Sequence, residues 1–299
     1  MKQGYSGVFA PLTTPFEGEE VSLKKLEENI KKYNGTALAG YVALGSTGEA
    51  VYLSDAESLK VVESVRKTAS LDRAVIAGTA RESTRMTLEF TNEAALAGAE
   101  AALIRTPSYF RSRLSETALK THYLRIADAS KIPVIVYNIP VHTGISLSKD
   151  IVLSLAEHPN IIGLKDSSGN LSAMNGLLPH LPQDFSVLLG AGSIFFPGLL
   201  MGAKGGILTL SDVAPLLCTR LYTLAYEGNI KEGRMLQQTL VPLNNAIIQD
   251  YGVAGAKYAL DLLGYYGGPC RSPLPPLNDR EKKDIENILL KLHLLQHLR

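Results

Sequence analysis

Lys165 directly follows the apolar run Ile161-Ile162-Gly163-Leu164. A lysine at the end of a strand buried on both faces is stripped of water, and a desolvated ε-amine can attack a carbonyl carbon to form an imine. An unperturbed lysine titrates near ~10.4, so half-neutralising it at pH 7 requires a fall of roughly 3.4, or ~4.6 kcal/mol. Burial lowers a lysine by ~3–5, so a closed site suffices. The competing reading is a structural ion pair with Asp166 or with a carboxylate on a neighbouring strand. Tyr137 closes the run Val134-Ile135-Val136, and its phenol is suited to moving a proton to and from the substrate oxygen or the carbinolamine. Its plainer reading is a rim tyrosine bonded to a backbone carbonyl. Gly45-Ser46-Thr47-Gly48-Glu49 offers hydroxyls and backbone amides that suit a carboxylate or phosphate, or else forms an ordinary strand-to-helix turn with a Ser/Thr cap.

These groups are far apart in sequence, so the fold must bring strand ends together. Eight short apolar runs recur: Val8–Thr13, Gly40–Gly45, Ala74–Gly78, Ala101–Arg105, Val134–Asn138, Ile161–Lys165, Ser186–Gly190 and Gly205–Leu210. They lack polar alternation, as expected of strands covered on both faces. Amphipathic stretches separate them. Leu23 to Tyr33, the segment opened by the capping box Ser54-Asp55-Ala56-Glu57, Ser83 to Ala97 and Ser115 to Ser130 all read as helices. Strand–helix alternation predicts a parallel sheet, and eight units predict a closed (β/α)8 TIM barrel. An open doubly wound sheet would carry a glycine-rich turn after its first strand, whereas here that turn is Pro11-Leu12-Thr13-Thr14-Pro15. From Asn229 strand signals stop, and Lys231 to Gln249, Ala254 to Leu263 and Asp279 to Leu298 read as helices. The expected division is therefore a catalytic barrel over residues 1–228 and a C-terminal helical region over 229–299.

In such a barrel the active site lies at the C-terminal ends of the strands. That rule selects Thr13 and Thr14, Ser46 to Glu49, Thr106 to Tyr109, Tyr137 and Asn138, Lys165 to Ser168, and Gly190 to Gly192. Composition narrows the chemistry. With 30 Lys+Arg against 29 Asp+Glu, a formal charge of +1, the chain lacks the basic surface that nucleic acid requires. No run of apolar residues is long enough to span a membrane. The six histidines are scattered and neither Cys218 nor Cys270 lies in a ligand-spaced cluster, so no metal is expected. Two reduced thiols are expected rather than a disulfide. The opening MKQGYSGVFAPLTTPF reads as neither a secretory signal nor an Arg- and Ser-rich transit peptide. The expected location is cytoplasmic, with a mitochondrial one through a removed precursor segment left open.

The strings Gly45–Glu49, Thr106-Pro107-Ser108-Tyr109, Tyr137-Asn138-Ile139-Pro140 and Gly163-Leu164-Lys165-Asp166-Ser167-Ser168-Gly169 together resemble the pyruvate-dependent class I aldolases. That family includes dihydrodipicolinate synthase and N-acetylneuraminate lyase, and the resemblance runs from about Gly7 to Leu277. Within it, Leu263 to Leu274 is most similar to the C-terminal stretch of 4-hydroxy-2-oxoglutarate aldolase. The resemblance implies Lys165 as the Schiff-base residue and Tyr137 as acid/base. It implies that Ser46 and Thr47 hold the carboxylate through their amides, with Thr47 hydrogen-bonded to Tyr137. Tyr109 would act in a neighbouring subunit's site, which implies a homotetramer built as a dimer of dimers. Ser167, Ser168, His142 and Gly190 complete the expected substrate-binding set, with a helix cap as the plainer role of the two serines.

No metal or organic cofactor is implied, since the imine itself supplies the electrophile. The partners expected are a small 2-oxo acid, pyruvate or 4-hydroxy-2-oxoglutarate, and an aldehyde. The expected reaction is cleavage of 4-hydroxy-2-oxoglutarate to pyruvate and glyoxylate. The alternative is condensation of pyruvate with aspartate semialdehyde. The synthase carries an arginine two residues after the proline, where this chain has His142, which presents no bidentate fork to a second carboxylate. The aldolase often has an asparagine there and a serine after the catalytic tyrosine. Phe110 stands where tyrosine or asparagine is frequent. Two further readings are a phosphate-sugar barrel using Gly190-Ala191-Gly192 and Lys204-Gly205-Gly206, and a non-catalytic oxo-acid-binding barrel.

Overall fold

The computed structural model describes residues 4–295. Barrel strands are numbered β1 (Gly7–Ala10), β2 (Gly40–Ala43), β3 (Ala74–Gly78), β4 (Ala101–Arg105), β5 (Val134–Asn138), β6 (Ile161–Asp166), β7 (Ser186–Leu189) and β8 (Gly205–Ile207). All eight are parallel, neighbours in sequence are neighbours in space, and β1 closes the ring by pairing with both β8 and β2. The protein is a TIM barrel, and each of the eight expected runs forms one of its strands.

Strand alternation divides the apolar side chains into two cores. Phe9, Val42, Ile76, Leu103, Ile135, Tyr137, Ile162, Leu188 and Ile207 fill the barrel's interior. At the N-terminal end Tyr5 meets Phe9 edge-on, ring centroids 5.7 Å apart, and plugs the floor. The other strand face packs against the helices. Ser54, Ser83, Ser115 and Ser148 each cap the helix they precede through the side-chain oxygen, satisfying amides that have no partner within the helix.

Beyond the barrel lie helices Ile230–Asn245, Gly252–Leu262 and Asp279–Lys291, with a π-helical turn over Ala246–Asp250. The expected single helix from Lys231 to Gln249 thus ends early. Pro242 lies inside its last turns and cannot donate to the helical ladder. The final helix stops at Lys291, short of the expected Leu298, and residues 296–298 lie outside the described ones. Leu240, Leu243, Ala256, Leu260, Ile285 and Leu289 share one continuous core with the outer face of the barrel. Buried Gln237 reaches across, donating to the Gly192 carbonyl at 2.9 Å and accepting the Phe196 amide at 2.8 Å. No helix among the described residues is long and apolar enough to cross a membrane.

Candidate active site

Lys165 reaches the barrel interior because of an irregularity in β6. Val134 pairs with Ile161 and Ile135 with Gly163, so Ile162 is one residue more than the partner strand matches. Such a bulge re-aims the side chains that follow it. A regular strand over the same residues would turn Leu164 inward and Lys165 toward the helices. With the slip, Lys165 aligns with Tyr137 on one side and Leu188 on the other, and both of these line the interior. Lys165 is 4% exposed. Its Nζ lies 4.1 Å from the centroid of the Tyr137 ring.

The expected competing role, an ion pair with Asp166, is not made. Asp166 faces the other way, accepting from Asn138 Nδ2 at 2.6 Å and from Ser168 Oγ at 2.7 Å. Among the described residues no ion pair involves Lys165. The carboxyl it acts on through space is Asp212, which burial drives well above the usual carboxylate range, against the pull of the Lys165 charge. Asp212 is fully buried, and neither of its oxygens has a hydrogen-bond partner among the described residues.

The turn after β2 is held in a strained form. Leu44 and Glu49 bracket it with φ of 59° and 53°, a left-handed conformation costly for non-glycine residues that persists only where its surroundings impose it. Gly48 and Glu49 donate their amides back to Gly45 and Ser46, and the buried Thr14 hydroxyl donates to the Gly48 carbonyl at 2.6 Å. No backbone carbonyl among the described residues takes the amides of Ser46 and Thr47. Two adjacent free amides are a fitting receptor for a carboxylate. The Thr47 hydroxyl pairs with Thr209 at 2.8 Å and not with Tyr137 as expected. Thr47 follows β2 and Thr209 follows β8, the two neighbours of β1, whereas Tyr137 ends β5.

Ser167 and Gly190 join the lysine. A Cβ on Gly190 would run into Ser167 Oγ and come within 3.2 Å of Lys165 Cε, so glycine is required there for the amine to lie against the wall. Ser168 is not brought to the site. Its hydroxyl donates to Asp166 and accepts the Asn170 amide at 3.2 Å, which is the turn-forming role. His142 lies on the short helix Pro140–Thr143. Burial, Arg105 and Lys165 together lower its pKa, so it presents a neutral imidazole. Tyr109 is 80% exposed and packs edge-on against exposed Phe110. Its backbone is anchored by Glu82, which accepts the amides of Ser108 and Tyr109, each at 2.9 Å.

Sequence reasoning missed Thr209, Asp212 and Glu82. Thr209 was legible, being a polar residue at the end of the eighth run. Asp212 lies in the four-residue helix Leu210–Val213 and Glu82 in a loop, neither long enough to carry a periodic signal. Cys218 and Cys270 are both free. Among the described residues no group of three or more His, Cys, Asp or Glu side chains could hold a metal ion.

The Dihydrodipicolinate synthetase family profile matches residues 4–292. The chain belongs to that family. It is 35% identical over 291 residues to the 4-hydroxy-tetrahydrodipicolinate synthase of Methanothrix thermoacetophila, covering 96% of this chain and 97% of the relative. The enzyme of the same name from Archaeoglobus fulgidus is also 35% identical, over 97% of this chain and 99% of its own. Among solved structures, the chloride-inhibited dihydrodipicolinate synthase of Acinetobacter baumannii, complexed with pyruvate, superimposes with a TM-score of 0.93 at 30% identity, covering 97% of this chain and 99% of that one. Members of the family are pyruvate-dependent carbon–carbon lyases of the class I aldolase type, and this chain is an enzyme of that class.

Proposed function

We propose that the protein condenses pyruvate with an aldehyde through an imine on Lys165, and that the aldehyde is aspartate semialdehyde. The observation that carries the reading is a lysine buried at the end of a barrel strand, in no ion pair among the described residues, against the ring of Tyr137. The relatives reported above bear the synthase name, which favours condensation over the cleavage of 4-hydroxy-2-oxoglutarate expected from the C-terminal stretch.

In this reading Ser46 and Thr47 receive the pyruvate carboxylate through their free amides. The Lys165 amine attacks C2, and water leaves to give a protonated imine. Loss of a proton from C3, with Tyr137 as the nearby acid/base, gives an enamine that attacks the aldehyde carbon. The amino group carried by the semialdehyde then displaces Lys165, closing the ring and freeing the enzyme.

Borohydride added with pyruvate should leave a reduced three-carbon adduct on Lys165, located by peptide mass spectrometry. An adduct on another lysine, or none, removes the nucleophile. Condensation with aspartate semialdehyde and cleavage of 4-hydroxy-2-oxoglutarate are then assayed side by side; faster cleavage would restore the aldolase reading.

A further inference from the structure

The turn that bears the free amides of Ser46 and Thr47 is fixed from outside the barrel. Its last residue, Glu49, is 2% exposed, and its Oε1 lies 2.5 Å from Lys257 Nζ. Lys257 belongs to the C-terminal helix Gly252–Leu262 and is itself 1% exposed. Its ammonium also donates to the Pro269 carbonyl at 2.8 Å and sits 4.4 Å from the centre of the Phe16 ring. The second Glu49 oxygen accepts the Arg271 amide at 2.9 Å. The Arg271 guanidinium then takes up the far end of the same turn. It donates to the Tyr52 carbonyl at 2.8 Å, to the Glu19 carbonyl and to both Glu57 oxygens, at 2.6 and 3.1 Å. That contact holds the Glu57 carboxyl down at about 2.

Removing two charges from water costs several kcal/mol per ion, and a left-handed glutamate adds backbone strain. An apolar pair would join helix to barrel more cheaply. What the charged pair adds is direction: it fixes where the chain turns immediately after Ser46 and Thr47. We propose that Glu49 and Lys257 are positioning residues for oxo-acid binding, holding the Ser46 and Thr47 amides toward the carboxylate, so that the C-terminal helical region forms part of the substrate site. The inference rests on the reading in which those amides bind the pyruvate carboxylate.

Glu49→Gln tests it. The variant keeps the side-chain volume and the acceptor for Arg271, and a native near-UV dichroism spectrum is the check that it folds. Reductive trapping on Lys165 is followed with pyruvate and with acetone, a ketone that lacks the carboxylate. The concentration of pyruvate giving half-maximal trapping should rise about tenfold or more, the worth of well-aimed hydrogen bonds to a charged group. The trapping rate at saturating pyruvate and the response to acetone should stay within about twofold, because Lys165 is untouched. Lys257→Met/Glu49→Gln, neutral on both sides, should show the same selective loss. Unchanged half-saturation, or equal losses with pyruvate and acetone, would overturn the proposal and leave the pair a tie between helix and barrel. Absence of any adduct in the unaltered protein would instead sink the oxo-acid reading itself.

Discussion

Lys165 at the barrel mouth and Lys257 at the seam with the C-terminal helices are shut away from solvent almost equally, at 4% and 1% exposure. Each lies over an aromatic ring, Tyr137 at 4.1 Å and Phe16 at 4.4 Å. They differ in what else surrounds the nitrogen. Lys257 touches a carboxylate and a carbonyl, whereas among the described residues Lys165 has neither. A buried ammonium with its hydrogen bonds filled is a fastener, and one left without an anion keeps its lone pair accessible to an electrophile once the proton leaves. Burial alone therefore does not mark a nucleophile; in the proposed reading, what separates Lys165 from Lys257 is the absence of an anionic partner.

The sharpest break in that comparison is Lys165→Ala. Turnover should fall by at least about 10⁴-fold, as when a covalent nucleophile is deleted. Thermal unfolding should shift little, because no ion pair is lost. Retained activity would end the assignment. Lys257→Met should do the reverse to the fold. It strands Glu49 as an uncompensated buried charge, and denaturant titration should register a loss of about 3–5 kcal/mol. A loss below ~1 kcal/mol would mean that the seam does not depend on the pair.

The smallest effect sharpens the contrast through Asp212, the buried carboxyl that feels Lys165 without reaching it. Its folded pKa is raised by burial, so between the unfolded value near ~4 and the folded one the native state holds the extra proton. Stability from this group is complete below the unfolded value and declines as pH rises, by up to about 1.4 kcal/mol per pH unit. Asp212→Asn cannot titrate and should flatten the curve measured from pH 5 upward. An unchanged slope would show that the carboxyl is already ionised.

The strands were legible because burial on both faces leaves an unbroken apolar run, and Lys165 stood out because it ends one. Which way it points was not legible. The surplus Ile162 shows only once β6 is paired with β5, and strict alternation counted from Ile162 would have turned the lysine outward. The partner of Thr47 was misjudged for a related reason: its proximity to Thr209 exists only because the ring closes through β1. Lys257 is the one basic residue of a largely apolar helix that also carries Asp261, and nothing local announces Glu49 as its counterion. Local patterns encode elements, whereas the site depends on pairings made across the whole chain.

Tyr5 against Phe9, and the packed side chains above them, close the barrel axis beneath Lys165. In the proposed reading, the substrates, the product and the water expelled on imine formation all pass through the C-terminal end of the strands. Pyruvate held covalently on Lys165 is then a fixed guest, and the second reactant meets it from the same end.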